Sequence, residues 1–253
     1  MTTRTMPRYF LEVRYMGTRY SGFQIQPGAP TVQGEVERAL GTVLRLPTGL
    51  TGSSRTDAGV HALSNYFHFD HAVALDIGVL RSVNAVLPAD IAAVSLRRVP
   101  DEAHCRFDAV SRRYRYRLHT GKDPFLSDRS WFYPYPVSED VLHGIAGRLC
   151  GRADFRSFSK RRTQVGTYVC QIRDCRWERL EGGWQFEVEG DRFLRGMVRG
   201  LVGTMLKAAR GRLDVEAFFD ILRSQDNRCT DFTPPGRGLT LVAVKFPELL
   251  NIG

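Results

Sequence analysis

Residues 8–16 alternate: Leu11, Val13 and Tyr15 fall on one face and Glu12 and Arg14 on the other, the period of a strand with one face covered. Residues 17–30, rich in Gly, Pro, Ser and Gln, read as loop. Thr31 is placed to cap a helix whose stripe is Val32, Val36, Leu40 and Val43, and Pro47 ends it. A short aromatic strand over 66–70, a helix over 76–87 stopped by Pro88, and a strand over 91–99 follow. The second half opens in the same way. Residues 112–118 alternate strictly, with Tyr114, Tyr116 and Leu118 on one face and Arg113, Arg115 and Arg117 on the other, which predicts a strand with a basic face. After a loop over 121–136, Ser138 can cap a helix carrying Val141, Leu142, Ile145 and Leu149. Short strands are expected at 154–158 and 167–175, and Gly182-Gly183 marks a hairpin into an alternating Trp184, Phe186 and Val188.

The strongest helical pattern is 193–209, with Phe193, Met197, Leu201 and Met205 on its stripe and Arg192, Arg195 and Arg199 on a second face. Gly196, Gly200 and Gly203 form a third. A glycine costs a helix about 1 kcal/mol, so three of them imply that another backbone or a ligand packs closely there. Asp214 caps a further helix, 231–238 is loop, and 239–246 is the last strand. Strands and helices without regular βαβ alternation predict an α+β fold with a mixed, mostly antiparallel central sheet flanked by helices. The repeated element order suggests two similar halves, 1–105 and 106–253, joined near Ala103 to Ala109, with a cleft between them where ligands often bind.

Composition narrows the setting. No apolar run reaches the roughly 18 residues of a membrane span, and the first residues lack the apolar segment of a signal peptide, so a cytoplasmic protein is expected. Five cysteines, without a CxxC pair, fit reduced thiols better than a disulfide framework. His61, His68, His71, His104 and Cys105 lack the paired spacing of a structural zinc site, so no metal is expected. Net charge is +9, and it is uneven: the first half carries 10 basic against 9 acidic residues, the second 26 against 18. Of the 36 cations, 32 are Arg, which binds phosphate bidentately and stacks on bases. That balance favours a polyanionic partner, although a GC-rich genome also raises Arg.

The stretch from Gly52 to Leu63, Gly-Ser-Ser-Arg-Thr-Asp-Ala-Gly-Val-His-Ala-Leu, is unlike a packed core. Small residues surround one cation, Arg55, and one anion, Asp57, as in a tight loop presenting a carboxylate beside a guanidinium. An ordinary turn with a surface ion pair has the same composition. There is no G-x-S-x-G elbow, P-loop or dinucleotide fingerprint, and no second acid opposite Asp57 in the loop. One carboxylate, many arginines and tyrosines on arginine-rich strands suit a base drawn out of a nucleic acid.

The residues Arg55-Thr-Asp-Ala-Gly-Val-His61 resemble the signature of the tRNA pseudouridine synthase A family. Further segments match in family order: Tyr20-Ser-Gly-Phe-Gln-Ile-Gln-Pro27 with Thr31-Val-Gln33, Arg106-Phe-Asp-Ala-Val-Ser-Arg-Arg-Tyr-Arg-Tyr116, Gly151-Arg-Ala-Asp-Phe-Arg-Ser-Phe158, Arg192-Phe-Leu-Arg-Gly-Met-Val-Arg199 and Gly238-Leu-Thr-Leu-Val-Ala-Val244. The resemblance implies isomerisation of uridine to pseudouridine at positions 38, 39 and 40 in the anticodon stem-loop of tRNA, by a homodimer using no cofactor and no metal. It implies that Asp57 is the catalytic carboxylate, acting at the ribose or base. Arg55 takes the place of the flipped base, Tyr114 stacks on the target uracil, and Arg199 pairs with the carboxylate. Ser54 departs from the pattern, standing where Gly is common, which puts the backbone geometry of the loop in question. The rival reading is a non-catalytic RNA-binding module with an inert loop.

Overall fold

The computed structural model describes residues 6–161 and 165–250. The chain forms two compact units: one takes in the chain up to Val110 and again from Leu241, and the other runs from Ser111 to Thr240. Sequence order alone leaves the last strand with the second half, whereas from Leu241 it groups with the first unit. Among the described residues no helix is long and apolar enough to cross a membrane.

Unit 1 contains β1 (Arg8–Tyr15), α1 (Val32–Leu44), β2 (Thr51–Gly52), β3 (His61–Asp70), α2 (Gly78–Val86) and β4 (Ile91–Val99). β1 is central, antiparallel to both β3 and β4, and β2 pairs antiparallel with β3. Thr31 caps α1 as its position predicts, its hydroxyl accepting from the Gly34 N–H at 3.2 Å. The helix ends at Arg45, which adopts a left-handed conformation with φ 53°. β1 departs from the one-face reading, because Phe10 on the second face is buried as well as Tyr9, Leu11, Val13 and Tyr15 on the first. Phe246 and His68 lie against Phe10 on the second face, with ring centroids at 5.3 and 6.2 Å. Glu12 is satisfied by the hydroxyls of Ser64 and Ser95 at 2.7 and 3.0 Å.

Unit 2 contains β5 (Ser111–His119), β6 (Trp131–Phe132), α3 (Glu139–Leu149), β7 (Gly151–Asp154), β8 (Val169–Leu180), β9 (Gly183–Gly190), α4 (Met197–Ala209) and α5 (Val215–Ser224). The last strand, β10 (Leu239–Lys245), crosses the unit boundary and lies beyond β3 in the first unit's sheet. In unit 2 the order is β5-β9-β8-β7, antiparallel throughout, and the parallel β5–β6 pair makes the architecture mixed. α3 packs on β8 and on α4. The fold is thus α+β, with mostly antiparallel strands flanked by helices. The strand expected at 154–158 is instead β7 followed by a single 3-10 turn at Arg156–Phe158.

Two expectations about charge and helix length are corrected in this unit. β5 pairs with β9 so that Arg113, Arg115 and Arg117 stand directly opposite Glu189, Glu187 and Gln185. Arg113 donates to Glu189 at 2.6 Å and Arg115 to Glu187 at 2.9 Å, while Arg176 of β8 also reaches Glu187. The face read as basic is therefore an ion-pair ladder, built from opposite charges at opposed strand positions. α4 starts at Met197, because Gly196 has φ +73° and breaks the helical path. Arg192 and Arg195 lie ahead of that break, so they do not share a helix face with Arg199.

Candidate active site

The Gly52–Leu63 stretch begins in β2 and leads into β3, and neutral groups of unit 1 hold the backbone at Ser53, Ser54 and Thr56. The Ser53 N–H donates to the Tyr66 carbonyl at 2.8 Å. Asn65, fully buried on β3, accepts from the Ser54 N–H at 3.2 Å and donates to the Ser54 carbonyl at 2.9 Å. The same amide donates to the Tyr15 hydroxyl, which shares a 2.8 Å hydrogen bond with the Thr56 hydroxyl. The Phe23 N–H takes the Thr56 carbonyl at 3.0 Å. Among the described residues the only positive-φ position from Gly52 to Leu63 is Gly59, at 75°. Ser54 therefore needs no left-handed backbone that would call for glycine, and its side chain is buried.

Two close approaches set the outer shape. A Cβ on Gly17 would stand 2.0 Å from the Val60 carbonyl oxygen, and one on Gly52 would stand 2.1 Å from the Phe23 ring. Phe23 in turn stacks on Phe67 at 4.6 Å. Thr56 and Val60 point inward and are buried, Asp57 is half-buried, and Arg55 is exposed. Beside the loop, Arg55, Arg106 and Phe107 help to line a cavity of about 260 Å³ above Phe23 and Gly52. His104 also lines it, and burial lowers its pKa below the ordinary imidazole value.

Tyr114 and Arg199 belong to unit 2. Tyr114 is half-buried on β5, opposite Val188, with its ring edge-on to Phe193 at 5.1 Å. The next residue on that face, Tyr116, is fully buried and donates to the Pro235 carbonyl at 2.9 Å. Burial pushes its phenol far above the usual range. Arg199, in the first turn of α4, donates from Nε to the Pro234 carbonyl at 2.6 Å and from a terminal nitrogen to the Phe232 carbonyl at 3.5 Å. The glycine notch expected in this helix receives that same loop. A Cβ on Gly200 would meet Phe232 and Thr230 at 2.9 Å, and one on Gly203 would meet the Asp231 carbonyl at 2.3 Å. Arg55 and Asp57 thus share one loop of unit 1, and Tyr114 and Arg199 are each fixed within unit 2.

Sequence reasoning passed over the residues that build this geometry. Asn65, Tyr15 and Thr56 look like ordinary strand and turn positions, and only their contacts reveal the network. His104, Arg106 and Phe107 adjoin or fall in a matched segment, but nothing in their spacing announces a cavity.

Comparison with known proteins places the chain in a family. Residues 145–247 match the family model described as tRNA pseudouridine synthase. The chain is 43% identical over 249 residues to a tRNA pseudouridine synthase A of Bacteroides thetaiotaomicron, covering 96% of this chain and 92% of that one. It is 39% identical to that of Parabacteroides distasonis, over 97% and 98% of the two chains, and 40% to that of Porphyromonas gingivalis, over 96% and 98%. The chain belongs to the tRNA pseudouridine synthase A family, and is with it an isomerase acting on tRNA.

Proposed function

We propose that this protein converts uridine to pseudouridine at positions 38, 39 and 40 in the anticodon stem-loop of tRNA, with Asp57 as the catalytic carboxylate. The N-glycosidic bond from N1 to C1′ breaks, the uracil turns, and C5 bonds to C1′. The C5 proton leaves to solvent and N1 gains one, so nothing is oxidised or reduced and no cofactor is called for. Asp57 acts on the reacting nucleotide, Tyr114 stacks on the uracil, Arg55 fills the space of the flipped base, and Arg199 supplies positive charge to the site. Flipping costs a few kcal/mol, and a stacked aromatic returns about 1–3 kcal/mol of it. The protein works as a homodimer in the cytoplasm.

The observation that carries the reading is the loop itself. Asp57 is half-buried in a stretch whose neighbouring backbone is held by the Asn65 amide and by other backbone groups of unit 1, so the carboxylate stands on a fixed support. The test is release of tritium from C5-labelled uridine in an anticodon stem-loop transcript. The purified protein is expected to release it, and Asp57→Asn to bind the RNA but lose turnover. Binding without any release by the unaltered protein would favour the non-catalytic RNA-binding module.

A further inference from the structure

The turn at 104–108 of unit 1 has no part in the roles above, yet it is built to hold an aromatic ring in solvent. Phe107 is 74% exposed. Its N–H and that of Arg106 both point at His104 Nδ1, at 3.4 and 3.1 Å. The His104 N–H donates to the Asp108 carboxylate at 2.7 Å, and the Asp108 N–H returns to the His104 carbonyl at 3.0 Å. The Phe107 ring lies 4.2 Å from the His104 ring at an angle of 34°, with the Arg106 guanidinium 5.7 Å from its centre. A single exposed apolar side chain needs no explanation. This one is set by local hydrogen bonds at the rim of the cavity of about 260 Å³ beside the Asp57 loop.

The lining of that cavity has the chemistry of a nucleotide. Arg55 and Arg106 bring positive charge, and the exposed amide of Gln24 has no hydrogen-bond partner among the described residues. Two N–H groups aimed at His104 Nδ1 leave the proton of a neutral imidazole on Nε2, which makes that atom a donor. The cavity is smaller than the roughly 300–1,000 Å³ of pockets for drug-sized ligands, so it suits one base with its phosphate. Unpaired bases of RNA loops are recognised by stacking on aromatic side chains and by hydrogen bonds to their edges.

We propose that this cavity is a second nucleotide subsite, which takes an unpaired base of the RNA substrate other than the target uridine. The base stacks on Phe107 and its phosphate lies against Arg106. The inference rests on the tRNA-modifying reading. The subsite adjoins the Asp57 loop, because Arg55 lines the cavity and stands two residues before Asp57.

The test compares Phe107→Leu, which keeps an apolar side chain but removes the π-face, with Phe107→Trp. Both are measured on anticodon stem-loop RNAs carrying one abasic residue at each unpaired position in turn. Phe107→Leu is expected to raise KM by about 5- to 150-fold, the range of one base–aromatic stack, with kcat unchanged. Phe107→Trp is expected to bind as the unaltered protein does. One abasic position should weaken binding of the unaltered protein by a similar factor and add nothing to Phe107→Leu. Unaltered binding by Phe107→Leu, or abasic losses identical in both proteins at every position, overturns the proposal while leaving the isomerase reading intact. Failure of the unaltered protein to turn over any stem-loop removes that reading and this proposal together.

Discussion

Unit 1 and unit 2 handle their charged side chains differently. In unit 1 the loop is fixed by amides, hydroxyls and backbone groups, centred on Asn65, and Arg55 is left exposed. In unit 2 arginines are anchored by oxygen acceptors: Arg199 by the carbonyls of Pro234 and Phe232, Arg113 and Arg115 by the buried carboxylates of Glu189 and Glu187. The comparison teaches that charge count and charge on offer differ. Unit 2 holds most of the cationic excess, but part of it is consumed inside its own sheet. Unit 1 is nearly neutral, and Arg55 and Arg106 both line one cavity there.

The largest expected effect breaks the neutral scaffold. Asn65→Leu removes the acceptor of the Ser54 and Tyr66 N–H groups and the donor to the Ser54 carbonyl and the Tyr15 hydroxyl. Each buried polar group left unpaired costs about 1–3 kcal/mol, so the loss should be about 3 kcal/mol or more, read from the urea midpoint. Turnover should fall further than stability accounts for, because Asp57 shares the loop. An unchanged midpoint would mean that the network does not hold it.

Much of this arrangement was legible in the chain, because local rules govern the parts concerned. The caps at Thr31, Ser138 and Asp214 formed as their positions predict, and each side chain accepts from an N–H three residues on. The glycine notch in α4 correctly announced a close neighbour, which proved to be the 230–234 backbone and its side chains. The arginine face of β5 misled, since alternation says which side a residue faces and nothing of what stands opposite. Glu187 and Glu189 lie more than seventy residues along the chain from Arg115 and Arg113, and only the β5–β9 register joins these pairs. The cavity beside Arg55 was hidden for the same reason, as residues 52–55 and 104–107 meet only in the folded unit.

A paired substitution sharpens the contrast at smaller cost. Gly17→Ala drives a methyl into the Val60 carbonyl, and overpacking of this kind typically costs about 1–3 kcal/mol. Gly203→Ala makes a similar clash with the Asp231 carbonyl, but it lies inside α4, where replacing glycine regains about 1 kcal/mol of helix propensity. Gly17→Ala should therefore lower the melting temperature more. Its activity loss should come through the Asp57 loop, and that of Gly203→Ala through the carbonyls that hold Arg199. The reverse order of melting temperatures would mean that the α4 notch is the more rigid of the two.

Acid probes the neutral scaffold most gently. His68 is buried against Phe10 and edge-on to His104, and its Nδ1 receives the Cys105 N–H at 3.3 Å. Burial lowers its pKa to about 4 from the usual 6.5. Between those values the unfolded chain binds a proton that the folded chain refuses. The contribution of His68 to stability is thus complete above pH 6.5 and is lost as pH falls towards 4, by at most about 1.4 kcal/mol per pH unit. Burial lowers His104 too, with the same sign, and His119 plays this part in unit 2. The urea midpoint should fall between pH 7 and pH 5, and His68→Gln, whose amide oxygen can still accept the Cys105 N–H, should fall less steeply. Equal slopes in the two proteins would transfer the acid sensitivity to His104 or His119. A follow-up of the imidazole C2–H resonances would then assign it to one unit or the other, since each ring reports its own proton uptake.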